Sequence, residues 1–205
     1  MSKMTQVSNY SKSVIAAILT QVQATENKSL KIDVNGSESG IMPLSVEIID
    51  TNIKTGWGDG ILCSFCHYYE CNGDLMRDPE IVYLVVDKRD NEHIDCADLF
   101  YCWPQMRQID SIGMYNEIIS FENGQPISFT PQIQKDVAQF TTLWMKNICW
   151  QQNIKPIKLV TTTSRTISIL SNAEAAAKKA GFKNIGDAIR QGKLSEITNI
   201  LKKLP

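Results

Sequence analysis

Four segments rich in β-branched and aromatic residues follow one another at close quarters, and their spacing constrains the fold more than any other feature. They cover residues 44–50, 61–71, 80–87 and 94–103, each bounded by Gly, Asn, Asp or Pro. A parallel crossover needs about a dozen residues or more, so strands this close in sequence must pair antiparallel. A fifth segment, 114–121, runs into Glu122-Asn123-Gly124-Gln125, another turn signal.

Such a sheet needs cover, and the sequence supplies it. Thr130-Pro131 reads as an N-cap followed by proline at the first helical position. Ile133, Val137, Phe140, Trp144 and Ile148 then share one helical stripe, predicting a long amphipathic helix over 131–152 with Trp144 as its anchor. Val14, Ile15, Ile18, Leu19 and Val22 predict a first helix over 11–25. Between it and the sheet, only Leu30, Ile32 and Val34 alternate, which suits a short edge strand running into a turn at Asn35-Gly36.

After residue 150 the chain has no Trp, Cys, Tyr or Met. Residues 154–171, with the run Thr161-Thr162-Thr163-Ser164, read as a connector holding a strand at 157–160. Three helices are expected beyond it: one capped by Ser171 or Asn172 and stopped by Gly181, one over 184–190 and one over 195–204. The expected fold class is therefore α+β, an antiparallel sheet of about five strands packed by one long helix, with an N-terminal helix and a small all-helical tail. The domain assignment is 1–153, a connector at 154–171 and a helical subdomain at 172–205.

Composition excludes some functions. Lys and Arg total 21 against 22 Asp and Glu, a net charge of -1, so no global basic field would concentrate nucleic acid or anionic membrane. Residues 1–10 are polar, and no apolar run approaches the roughly 20 residues of a spanning helix, which predicts a cytoplasmic protein without a membrane partner. The six cysteines would be reduced there, serving as buried thiols, a metal site or redox groups.

Three clusters invite a chemical reading. Cys63, Cys66 and His67, with Cys71, Cys96 and Cys102 downstream, resemble a set of zinc ligands. Side chains alternate along a strand, however, so Cys63 and Cys66 would point apart, and buried thiols are favoured; no metal, cofactor or catalytic residue is assigned. The run from Asn72 to Glu80 gathers three carboxylates and an arginine. It reads either as hairpin chemistry or as a partner-binding site formed by Asp74, Arg77, Asp78 and Glu80. Residues 100–105, Phe-Tyr-Cys-Trp-Pro-Gln, offer either a stacking surface or the packed face of the sheet.

The tail is locally basic. Lys178, Lys179, Lys183, Arg190 and Lys193, with Lys202 and Lys203, outnumber Glu174, Asp187 and Glu196, and the first five are the candidate nucleic-acid contacts. The alanine-rich helix, glycine turn and Arg190-Gln191-Gly192-Lys193-Leu194 ending resemble a helix-turn-helix of the small excisionase or MerR-like kind, with Lys183-Asn184 where the recognition helix would carry a Ser or Thr cap.

The run from His67 to Glu80, with Met114-Tyr115-Asn116-Glu117 and the run from Trp144 to Gln152, resembles an uncharacterised bacterial family, domain of unknown function 6908, over about residues 41–153. That resemblance implies a setting, a phage or mobile element, and no catalytic residue. The expected function is a non-enzymatic interaction protein, a counter-defence inhibitor of the anti-CRISPR-like kind that binds a host protein complex. The alternatives are a nucleic-acid-binding accessory protein using the basic helices and a metal-dependent enzyme at the Cys63 cluster.

Overall fold

The computed structural model describes residues 4–34, 36, 40–90 and 92–201. The chain divides into two compact units, Met1–Leu159 and Val160–Pro205.

The first unit is built on a six-stranded antiparallel sheet in sequence order: β1 (Ser29–Ile32), β2 (Leu44–Thr55), β3 (Gly58–Cys71), β4 (Asp74–Asp87), β5 (Phe100–Ile109) and β6 (Met114–Glu117). The β3–β4 turn is tighter than the run 72–79 suggests. Asn72 and Gly73 alone make it, both at positive φ, and Asp74 through Pro79 already belong to β4.

The strand expected at 94–103 begins later and ends later. Arg89 clamps the preceding loop, its guanidinium bonding Asp87 at 2.7 and 2.9 Å and the Ile94 carbonyl at 3.1 Å, which leaves Ile94 exposed. β5 then accommodates Pro104, which has no N–H for a ladder, at a bulge: Tyr83 faces Pro104 and Val82 faces Met106, with Gln105 the extra residue.

Gln105 also breaks the segment 114–121 in two. Its carbonyl accepts from Ile118 N at 2.7 Å and its side-chain amide donates to Ile119 O at 3.0 Å, turning the chain out of the sheet after β6. The chain then forms a separate hairpin that the strand pattern alone does not separate from β6, pairing β7 (Ile119–Glu122) with β8 (Gln125–Phe129). Asn123 and Gly124 make its turn at positive φ, and Lys54 N donates to Gly124 O at 2.8 Å. A Cβ at Gly124 would sit 2.6 Å from Asn52 O, so the turn that ties the hairpin to β2 tolerates only glycine.

Helix α1 (Asn9–Ala24) starts at Ser8, whose Oγ accepts from Ser11 N at 3.2 Å. Val14, Ile15, Ile18, Leu19 and Val22 are all buried, as their spacing predicts. Helix α2 (Pro131–Gln151) has Thr130 at the cap position, but the Thr130 side chain makes no cap bond. Its buried seam is Val137, Thr141, Trp144, Met145 and Ile148. Phe140, expected on the stripe, lies at the margin with 36% of its surface exposed, stacked 6.1 Å from the nearly buried Trp144. The Tyr83 hydroxyl bonds Thr141 Oγ1 at 3.0 Å and fixes the seam on the sheet.

In the second unit, helix α3 (Thr162–Lys179) begins inside the expected connector, because a Thr/Ser run is as competent to start a helix as to interrupt one. Its end is as expected. Phe182 N donates to Ala177 O and Gly181 N to Lys178 O, both at 3.0 Å, with Gly181 at φ 87°. In α4 (Ile185–Arg190), Asn184 takes the cap role assigned to a missing Ser or Thr, accepting from Asp187 N at 2.8 Å. With α5 (Leu194–Leu201), these helices enclose Ala176, Ala177, Ala188 and Ile197. Asn35, Lys202, Lys203 and Leu204 lie outside the described residues.

Candidate functional site

Side chains directly opposite one another on paired strands share a face of the sheet. Tyr83 touches α2, so Tyr83 and its partner Cys63 mark the helix-covered face. One position along each strand, two cross-strand rows point the other way. The first is Ser29, Glu47, Ser64, Val82, Met106 and Glu117; the second is Lys31, Ser45, Cys66, Glu80, Gln108 and Tyr115. Four small side chains, Ser29, Ser45, Ser64 and Cys66, lie together there. Between the larger Lys31, Tyr68 and Leu75 they leave a groove of about 300 Å3.

Beside the groove a charged network crosses four elements. Ser64 Oγ donates to Glu80 Oε1 at 2.6 Å, and Arg77 Nε approaches Glu80 Oε2 to 2.9 Å off the N–H axis, an ion pair rather than a directed hydrogen bond. Asp110, in the short turn after β5, accepts from Arg77 N at 2.8 Å and Gln108 Nε2 at 2.6 Å, with Arg77 Nη1 3.6 Å away. These donors, the Arg77 N–H first, hold the Asp110 carboxyl below its ordinary range. A bulge between Cys66 and Tyr68 lets Tyr68 face Arg77, which brings Arg77 alongside Glu80. Burial pushes both the Cys66 thiol and the Tyr68 phenol up to about 12, so Cys66 is not a thiolate at neutral pH.

The four residues read as one partner-binding site therefore separate. Arg77 and Glu80 join the network. Asp78 lies outside it, accepting from Ser111 Oγ at 3.3 Å, and Asp74 stands exposed at the start of β4. Ser64, Gln108 and Asp110 are remote in sequence from the run 72–80, and only the strand register brings them to it.

The cysteine cluster is dispersed by alternation. Cys63 donates to Tyr83 O at 3.7 Å on the helix face and Cys66 donates to His67 O at 3.3 Å on the other, while Cys71 is exposed at the end of β3. His67 points to α2, its Nδ1 3.0 Å from Pro43 O and its ring edge-on to Trp144 at 5.6 Å. Among the described residues no group of three His, Cys, Asp or Glu could hold a metal ion. In the aromatic run 100–105, Phe100 and Trp103 are buried, with Trp103 between Trp57 at 4.7 Å and Tyr101 at 5.8 Å.

On the second unit Lys178, Lys179, Lys183, Arg190 and Lys193 are all exposed. Three have carboxylate partners: Lys178 with Glu174 at 3.9 Å, Arg190 with Asp187 at 3.9 Å and Lys193 with Glu196 at 2.9 Å. Among the described residues no helix is long and apolar enough to cross a membrane.

A family model described as Domain of unknown function (DUF6908) matches residues 13–154. The match takes in most of α1 as well as the sheet and α2, starting earlier than the resemblance over 41–153, in keeping with α1 sharing their core. No curated protein and no solved structure matches the chain.

Proposed function

We propose that this chain, which belongs to the DUF6908 family, acts as a non-enzymatic interaction protein that docks a protein partner on the open face of its sheet. The observation that supports this reading is the pre-ordered network of Ser64, Arg77, Glu80, Gln108 and Asp110, with exposed Tyr115 and Leu75 on the same face. Arginine and tyrosine dominate the energetics of interfaces, and groups already held in place lose little freedom on binding. A phage or mobile-element setting would make the partner a host complex and the role counter-defence. The test is affinity capture from host lysate with tagged wild type and with an Arg77→Glu, Tyr115→Ala variant of unchanged circular dichroism. Loss of a stoichiometric partner in the variant is expected; recovery of that partner at equal yield would overturn the reading.

A second reading rests on the exposed basic side chains of the helical unit, of which Lys179 and Lys183 have no ion pair among the described residues. Nucleic-acid binding there predicts a gel-shift affinity that falls steeply with salt and is lost when Lys178, Lys179, Lys183 and Arg190 are reversed to glutamate.

A further inference from the structure

We infer that the outer face of α2 is the contact through which two copies of this chain pair antiparallel. Gln132, Asp136, Gln139, Leu143, Lys146 and Trp150 follow one another at spacings of four, three, four, three and four. These are the 3.5-residue spacings along which two helices meet, here carrying two large apolar residues, Leu143 and Trp150, among four polar ones, and every one of the six is exposed. Leu143 is 63% exposed and Trp150 81%, although both sit on a helix whose opposite seam is already committed to the sheet through Val137, Thr141, Trp144 and Ile148. Leu143 and Trp150, two turns apart, give this otherwise polar face the apolar area a contact can bury.

The charges identify the occupant. Asp136 and Lys146 are the two charged residues on the seam, one toward each end. In a parallel pair, each would meet its own copy and both contacts would be repulsive. In an antiparallel pair crossing between Gln139 and Leu143, Asp136 meets Lys146, Leu143 meets Gln139 and Trp150 lies over Gln132. A twofold axis makes each contact twice, so the seam is its own complement. Gln132 Nε2 donates to Asp136 Oδ1 at 3.0 Å and holds that carboxylate on the seam, while Lys146 has no ion-pair partner among the described residues. One helix against its copy is a small interface, so association is weak and visible as a concentration dependence. The seam is on the opposite side of the sheet from the network proposed to bind a partner, and neither reading depends on the other.

The experiment is sedimentation equilibrium on the full chain over a concentration series reaching the millimolar range. Wild type is expected to move from monomer to dimer, and Trp150→Glu to stay monomeric at every concentration. Asp136→Lys sets like charges opposite each other and is expected to weaken the dimer about tenfold or more. The exchange Asp136→Lys with Lys146→Asp restores opposite charges in this register alone and is expected to recover wild-type association. All these positions are exposed, and unchanged circular dichroism checks that the variants fold. A wild type that stays monomeric throughout, a dimer indifferent to Trp150→Glu, or an exchange that does not rescue Asp136→Lys would each overturn the inference.

Discussion

The two faces of the central sheet are built from the same strands, residue by residue in alternation, yet they carry different chemistry. Toward α2 lie Cys63, Phe65, His67, Ile81 and Tyr83, all buried. Facing away, around the groove, lie Ser45, Ser64, Cys66, Tyr68, Arg77 and Glu80, polar or small. Only the first set has its identities dictated by packing, since apolar burial is what holds the unit together. The second is free of that demand over the groove, and there the chain places bonded charges instead of volume. This difference is why the open face, rather than the cysteine cluster, is the candidate site.

If the faces are divided this way, substitutions should sort by the face they touch. The largest effect is expected at Trp144, buried against His67 and Phe140. Trp144→Ala should cost about 3–5 kcal/mol in chemical denaturation, whereas Phe140→Ala, one turn away and at the margin, should cost well under half as much. Equal losses would mean that the seam is wrongly placed.

Acid should separate the faces next. Burial lowers the His67 pKa from its ordinary 6.5, so the unfolded chain takes up the proton first. The stability held by neutral His67 is then complete above pH 6.5 and is lost as pH falls below that value toward the lower folded one. Asp110 has a lowered carboxyl, so its contribution persists until pH falls through the ordinary carboxylate value of 3.8 and below. Urea midpoints of wild type and His67→Gln measured between about pH 8 and pH 5 should run parallel at the alkaline end and diverge in slope as pH falls through and below 6.5. Parallel curves would remove His67 from the account.

A smaller effect is expected from Tyr83→Phe, which deletes the hydroxyl paired with Thr141 Oγ1. Thr141 keeps its bond to Val137 O at 2.8 Å, so no donor is orphaned and the loss should stay near 1 kcal/mol by thermal denaturation.

Much of the helix-covered face was legible in the sequence because packing writes periodicity. The spacing of Val14, Ile15, Ile18, Leu19 and Val22 gave α1, that of Val137, Trp144 and Ile148 gave α2, and alternation separated Cys63 from Cys66. The misplacements share one cause: single residues that interrupt a ladder. Pro104 and Gln105 displace β5 and split β6 from β7, and Arg89 excludes Ile94 from a strand, through bonds to partners that no local pattern reveals. The open-face network was illegible for a related reason. Arg77 comes alongside Glu80 only because a bulge shifts the register by one residue, Ser64 and Asp110 reach the pair only across the strands, and a count of charges near Asp74 favours instead two carboxylates, Asp74 and Asp78, that lie outside the network.

The smallest stability effect, and the sharpest test of the contrast, belongs to Arg77→Ala. Its side chain is 40% exposed, so solvent screens its ion pairs with Glu80 and Asp110, and such pairs contribute at most about 1 kcal/mol. The substitution leaves the Arg77 N–H in place, so Asp110 keeps that bond and the one from Gln108, and Glu80 keeps the Ser64 hydroxyl. Neither carboxylate is stranded, and the denaturation midpoint should move only slightly while capture of a partner on the open face falls away. A loss as large as that of Trp144→Ala would show that the open face also carries the fold; an unchanged midpoint with unchanged capture would move the docking surface elsewhere on the chain.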